Sequence, residues 1–147
     1  DCEKLACDPN RPSELATAIK NGTAADLVMV HDSQRPLTQQ AQFERVYAAL
    51  TSDIDAVRPV SPFTETLKSI DADNFIDETI DRTSMMRIST PEIVRYSAID
   101  FDATESTWFV PLKGSAKSAV VDADADSARI NSEKEIELMG YLLDWNK

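Results

Sequence analysis

Between Asp26 and His31 the chain reads Leu-Val-Met-Val without a polar interruption, and this continuity limits the fold more than any other feature. A strand with one solvated face alternates apolar and polar residues, whereas an unbroken run belongs to a strand covered on both faces. Covering both faces requires helices on both sides of a sheet, which is the α/β arrangement. Two candidate helices flank the run. PSELATAIKNG, from Pro12, sets Leu15, Ala18 and Ile19 on one face and stops at Asn21-Gly22. TQQAQFERVYAAL, from Thr38, places Phe43, Val46, Tyr47 and Leu50 at helical spacing, which predicts an inward stripe.

The remaining segments continue the pattern. DAVRPVSP, from Asp55, is a short strand, and SAVVDAD, from Ser118, is a late one. TETLKSIDADNFIDETI, from Thr64, reads as two strands around the turn-forming Asp71-Ala72-Asp73-Asn74. Neither face of this hairpin is apolar enough for a central position, so it is expected to project as an arm over about 64–82 and pack on a partner subunit. STPEIVRYSAI is expected to open a helix, with Ser89 or Thr90 as cap and Pro91 in the first turn. NSEKEIELMGYLLDW, from Asn131, predicts a closing helix with Ile136, Met139, Leu142 and Leu143 inward. No repeat or linker interrupts the sequence, so residues 1–147 are expected to form one domain.

Charge narrows the partners. Fifteen basic against 26 acidic residues give −11, which argues against nucleic acid and a membrane surface, since both select a basic field. An anionic substrate would need a local basic pocket. No apolar stretch approaches the ~18 residues of a membrane span, and the N-terminus lacks the apolar core of a signal peptide, so a cytoplasmic protein is expected. Cys2 and Cys7 have no metal or redox spacing.

Only Gly22, Gly114 and Gly140 occur, so these residues hold no glycine-rich phosphate loop and side chains must handle any phosphate. DADADSARINSE places Asp122, Asp124, Asp126 and Glu133 like a calcium loop but has Ser127 where the turn glycine belongs; no protein metal site is predicted. Arg58, Lys113 and Lys117 read as solvated surface charge.

The apolar run ends by delivering His31, Asp32 and, three residues later, Arg35. Open α/β sheets present ligands to the carboxyl ends of their strands, so this is a candidate site; a local ion pair is the competing reading of Asp32 and Arg35. His31, the one histidine, reads as a structural residue at a strand end, because no nucleophile is placed for it.

VHDSQRPL, ETLKSIDADNFIDETIDRT, STPE and SARINSEKEIEL, in this order, resemble the 2-C-methyl-D-erythritol 4-phosphate cytidylyltransferases. That family typically reads V-H-D-A-A-R-P-F, D-T-I-K-R with E-T-L-D-R, T-P-Q, and N-I-K-I-T-x-P-E-D-L. The resemblance implies a Rossmann-like nucleotidyltransferase fold with a mixed sheet and the hairpin arm. The family's N-terminal portion, with A-A-G-x-G-x-R-M around the CTP triphosphate, has no counterpart in these residues and is expected to be missing.

The implied activity is transfer of CMP from CTP, with Mg2+, to a sugar-alcohol phosphate in the non-mevalonate isoprenoid pathway. By the resemblance Asp32, Arg82 and Arg129 are catalytic, Arg35 grips the substrate phosphate, and Thr66, Thr90 and Thr104 bind substrate. Thr66 and Arg82 would come from the partner subunit of a homodimer. Arg129 stands where the family has Lys, and Glu92 where it has Gln. The alternatives are a non-catalytic homologue or inactive fragment retaining fold and dimer arm, and a related enzyme acting on ribitol phosphate.

Overall fold

A computed structural model describes residues 11–22, 24–104 and 109–145. Its elements are α1 (Pro12–Asn21), β1 (Leu27–Val30), α2 (Gln40–Ala48), β2 (Ala56–Pro62), β3 (Leu67–Ile70), β4 (Ile76–Ile80), β5 (Met86–Ile88), β6 (Glu92–Arg95), β7 (Ser118–Asp122) and α3 (Glu133–Trp145). Cys2 and Cys7 lie outside the described residues.

The sheet is mixed. β6 runs antiparallel between β1 and β2, while β7 pairs in parallel with the opposite edge of β2. β5 continues the β6 side of β2, with Val60 opposite Ile88 and Val57 opposite Ile93. The pairing slips between these two stretches, around Thr90–Pro91, whose peptide is cis. Pro59 of β2 stands at that slip and has no N–H to give, which is how a central strand tolerates a proline. β1, β2 and β7 therefore point the same way, and their carboxyl ends share one end of the sheet.

Two cores lie on opposite faces. Leu15 and Ile19 of α1 pack with Ala56, Val94, Ile99 and Val110, and with Val28 and Val30 beside them. Val46 of α2 packs with Val57 and Ile93, and with Leu27, Ala119 and Val121 beside them. Successive residues of β1, β2 and β6 thus serve alternate helices, as the apolar run implied. Among the described residues β1 pairs with β6 alone, however, and its residues are only partly covered, with Met29 exposed.

Residues 89–99 do not form the expected helix. Glu92–Arg95 is a central strand, followed by a single 3-10 turn at Tyr96–Ala98. The β-branched Ile93 and Val94 each enter a different core, the same two-faced logic as residues 27–30. Ser89 and Thr90 are buried and engaged in tertiary hydrogen bonds, so neither caps a helix.

Two of the other three helix predictions need correction in their faces. On α2, Tyr47 is exposed and Gln42 is the fully buried residue beside Val46. α3 forms, yet Ile136 and Leu143 remain exposed, because helical periodicity specifies a stripe and not its cover. The arm forms as expected: Asp71 Oδ1 accepts the N–H groups of Asp73 and Phe75 at 3.0 and 2.9 Å, and Asn74 takes the left-handed conformation that closes the turn.

Candidate functional site

The carboxyl end of β1 releases the chain into a turn built on Asp32. Its Oδ1 accepts the N–H of Gln34 at 2.9 Å, and its own N–H donates to Thr90 Oγ1 at 3.1 Å. The free carboxylate oxygen, Oδ2, then meets Arg129 Nε at 2.8 Å and stands 3.9 Å from Arg35 Nε. Asp32, Arg35, Thr90 and Arg129, four of the seven residues that the sequence singles out, thus converge at the carboxyl ends of β1 and β7.

Arg35 is held rigidly. One terminal nitrogen donates to the Ser127 carbonyl at 2.6 Å and the other to the Ile88 carbonyl at 3.4 Å, while its buried Nε has no hydrogen-bond partner in the structure. Burial, more than any neighbour, pulls its pKa below the usual arginine value; Asp32 opposes this, and Arg129 and Arg87 add to it. Arg129 also donates to Asn131 Oδ1 at 2.5 Å and to Gln34 Oε1. Arg35 and Arg129 both stand at the Asp32 carboxylate, and Arg87 is near enough to lower the Arg35 pKa, on a chain of net charge −11. Such a grouping of guanidinium side chains is what an anionic substrate requires.

His31 is built into the scaffold. The Arg35 carbonyl can only accept, so His31 Nε2 donates to it at 3.2 Å and Nδ1 is left to accept the Thr90 hydroxyl at 3.1 Å. The ring also lies 5.0 Å from that of Phe43. Burial pushes the imidazole pKa down from its ordinary value.

The arm residues are apart from this cluster. Thr66 is exposed, and Arg82, also exposed, donates to the Thr64 carbonyl at the base of the arm. Thr104 is exposed at the border of the undescribed residues 105–108. The arm nevertheless leaves β2 at the carboxyl end of that strand, the end at which the cluster sits.

Several contributors escaped sequence reasoning. Ser127 Oγ donates to the Asp124 carbonyl at 2.6 Å and lies 3.1 Å from Ser89 Oγ, which fixes the carbonyl that holds Arg35. Arg45 donates to Asp124 Oδ1 at 2.6 Å and to the Asp122 carbonyl at 3.0 Å, so α2 grips the acidic loop. Among the described residues no group of three or more His, Cys, Asp or Glu side chains could hold a metal ion.

Arg58 is not surface charge. Its Nε donates at 2.8 Å to the fully buried Glu92, whose other oxygen accepts the Val110 N–H at 2.7 Å. A glutamine on an apolar stripe and an arginine inside a strand of apolar residues were the signals for Gln42 and Arg58.

A family described as 2-C-methyl-D-erythritol 4-phosphate cytidylyltransferase, IspD, matches residues 9–130. The cytidylyltransferase of Rhodococcus jostii carrying that name is 32% identical over 120 residues, covering 74% of this chain and 53% of the relative. The bifunctional enzyme IspD/IspF of Rhizobium rhizogenes is 38% identical over 77 residues, covering 52% of this chain and 19% of the relative. The chain thus spans between a fifth and about half of these relatives.

The solved 2-C-methyl-D-erythritol 4-phosphate cytidylyltransferase of Thermus thermophilus superimposes with a TM-score of 0.71 at 19% identity, covering 90% of this chain and 69% of that one. That likeness establishes the mixed α/β fold. No helix among the described residues is long and apolar enough to cross a membrane.

Proposed function

The chain belongs to the 2-C-methyl-D-erythritol 4-phosphate cytidylyltransferase family, and on that premise we propose that it forms the acceptor side of an active site joining CMP to 2-C-methyl-D-erythritol 4-phosphate. In this reaction a phosphate oxygen of the acceptor attacks the α-phosphorus of CTP. The new P–O–P bond forms as the bond to the β-phosphate breaks, and pyrophosphate leaves with the electron pair. The acceptor phosphate is already ionised, so alignment and charge neutralisation matter more than proton transfer.

The observation that carries the proposal is the convergence of Asp32, Arg35, Thr90 and Arg129 from distant parts of the chain, with two guanidinium groups at one carboxylate. Arg35, pinned by two carbonyls, grips the substrate phosphate. Arg129 neutralises charge at the α-phosphate, and Asp32 orients Arg129 and the acceptor. Thr90 anchors the Asp32 backbone and borders the acceptor, and Thr104 contributes from the far side. Thr66 and Arg82 complete the site from a second copy of the chain, which makes the functional unit a homodimer.

Mg2+ enters with CTP. The triphosphate oxygens would hold it, since both Asp32 oxygens are engaged by Arg129 Nε and the Gln34 N–H and the described residues do not fit a protein-held ion. Bound to the triphosphate, the ion would neutralise its charge. The same reading places the protein in the cytoplasm, where CTP is available.

The experiment is pyrophosphate release from CTP and 2-C-methyl-D-erythritol 4-phosphate by the full-length protein, compared with Asp32→Ala and Arg82→Ala. Both substitutions are expected to reduce turnover by about a hundredfold or more. Wild-type rates in both would remove the proposal.

A further inference from the structure

Gln42 is a buried side chain that bridges the two halves of the cluster, alongside the Ser89–Ser127 contact. It is fully buried in α2, one helical turn before Val46. Its Nε2 donates to the Thr90 carbonyl at 2.8 Å, and its Oε1 accepts the Asp124 N–H at 2.6 Å. These partners fix the amide orientation, since a carbonyl needs a donor and an N–H an acceptor.

The two groups it joins belong to different parts of the site. Thr90 holds the backbone of Asp32 through its hydroxyl. Asp124 opens the turn whose Ser127 carbonyl holds Arg35 and whose continuation carries Arg129. Arg45 grips this loop as well, but through Asp122 and Asp124 alone, so it sets nothing relative to Thr90. Buried polar groups are costly unless satisfied, and here one amide satisfies two peptide groups that neither strand pairing nor helix would otherwise serve.

We infer that Gln42 is a positioning residue: it fixes the distance between the Asp32–Thr90 half and the Arg129 half of the cluster, and through it the Asp32–Arg129 contact. The consequence for turnover rests on the cytidylyl-transfer reading above; the effect on the loop does not. A displacement on the order of 1 Å between aligned groups can cost about a hundredfold in rate, so a bridge far from the reacting atoms is visible in kcat.

The test compares Gln42→Met, which keeps length and burial but removes both hydrogen bonds, with Val46→Ala, which opens a cavity on the same helix and leaves the bridge intact. Both are made in the full-length protein and both lower the melting temperature. Gln42→Met is expected to lower kcat per folded molecule by about tenfold to a hundredfold, and Val46→Ala to stay within about twofold of wild type. Amide hydrogen exchange supplies a second readout. Gln42→Met is expected to speed exchange at Asp124 and Ile130 by about tenfold relative to Val46→Ala, the equivalent of one lost hydrogen bond.

If the wild type turns over and Gln42→Met matches it, or if Val46→Ala loses as much, the inference is overturned while the activity stands. If the wild type shows no cytidylyl transfer, the activity falls and exchange alone decides: faster loop exchange confined to Gln42→Met supports the coupling, and equal exchange in both variants overturns it.

Discussion

Arg129 Nε donates to Asp32 Oδ2 at 2.8 Å, joining residues that stand 97 positions apart in the chain. The contact uses one edge of a planar guanidinium whose other nitrogens reach Asn131 and Gln34, so a single side chain orders the carboxylate, the turn after β1 and the loop after β7. Lysine carries the charge but not the fork. Arg129→Lys is therefore expected to slow pyrophosphate release by about ten- to a hundredfold. Both side chains are partly exposed, so its unfolding free energy should change by no more than about 1 kcal/mol. Steady-state kinetics and urea denaturation on the same preparation check both halves, and an unchanged rate removes Arg129 from the site.

A second prediction concerns the Arg58–Glu92 pair. Removing one member of a buried pair strands the other, at a cost of about 3–5 kcal/mol, so Arg58→Met is expected to be severely destabilised. Burial holds the Glu92 carboxyl above its ordinary value of 4.5, and Arg58 is the strongest influence pulling it back. A carboxyl whose folded-state pKa is raised contributes stability that is fully present below the unfolded value and lost as pH rises through the folded one. Without Arg58 this rise is larger, so the deficit of Arg58→Met should widen between about pH 4 and about pH 7. Denaturant titrations across that range test it; a constant deficit contradicts it.

These two pairs also show where sequence stops being informative. The strand over Leu27–Val30, the helices that sandwich it and the hairpin around Asn74 were legible because periodicity and turn chemistry are local. Asp32 was legible as a candidate because a strand visibly ended in charge. Its ion-pair partner was not: Arg35 is three residues away yet stands at 3.9 Å, and the closer guanidinium comes from the far end of the chain. Pro91 after Ser89-Thr90 carries the local signature of a helix start, but Ile93 and Val94 gain more by filling two opposite cores than a helix could offer them. Arg58 reads as surface charge and Gln42 draws no reading at all, because composition does not reveal a buried partner 34 or 48 positions away.

A third prediction follows from His31. Its ring donates a hydrogen bond from Nε2–H to the Arg35 carbonyl and accepts one at Nδ1 from the Thr90 hydroxyl, an arrangement that requires the neutral form. Burial lowers its pKa, so the unfolded chain binds the proton more readily than the folded one. The stability this gives is present above the ordinary value of 6.5 and is lost as pH falls through the folded-state pKa. The NMR titration midpoint of His31 is expected below 6.5. His31→Gln should flatten the stability profile between about pH 7 and about pH 5. A midpoint at or above the ordinary value would show that the neutral hydrogen-bonded form is not the ground state.

The arm carries the last prediction. Ile70, Phe75 and Ile76 are 62%, 69% and 68% exposed on a two-stranded hairpin, and a hairpin of this size is marginal unless something covers it. If a second copy does so and Arg82 serves the neighbouring cluster, each site draws Asp32 from one chain and Arg82 from the other. Asp32→Ala and Arg82→Ala chains, each inactive alone, then complement when mixed and allowed to exchange. Random pairing makes half of the dimers mixed and gives each mixed dimer one intact site, so recovery should approach about one quarter of wild-type turnover. Phe75→Asp should abolish both the recovery and the dimer seen by analytical ultracentrifugation. Because a site built from one chain cannot be restored by mixing two chains that each lack part of it, the absence of recovery in a sample that sediments as a mixed dimer would assign Arg82 to its own protomer.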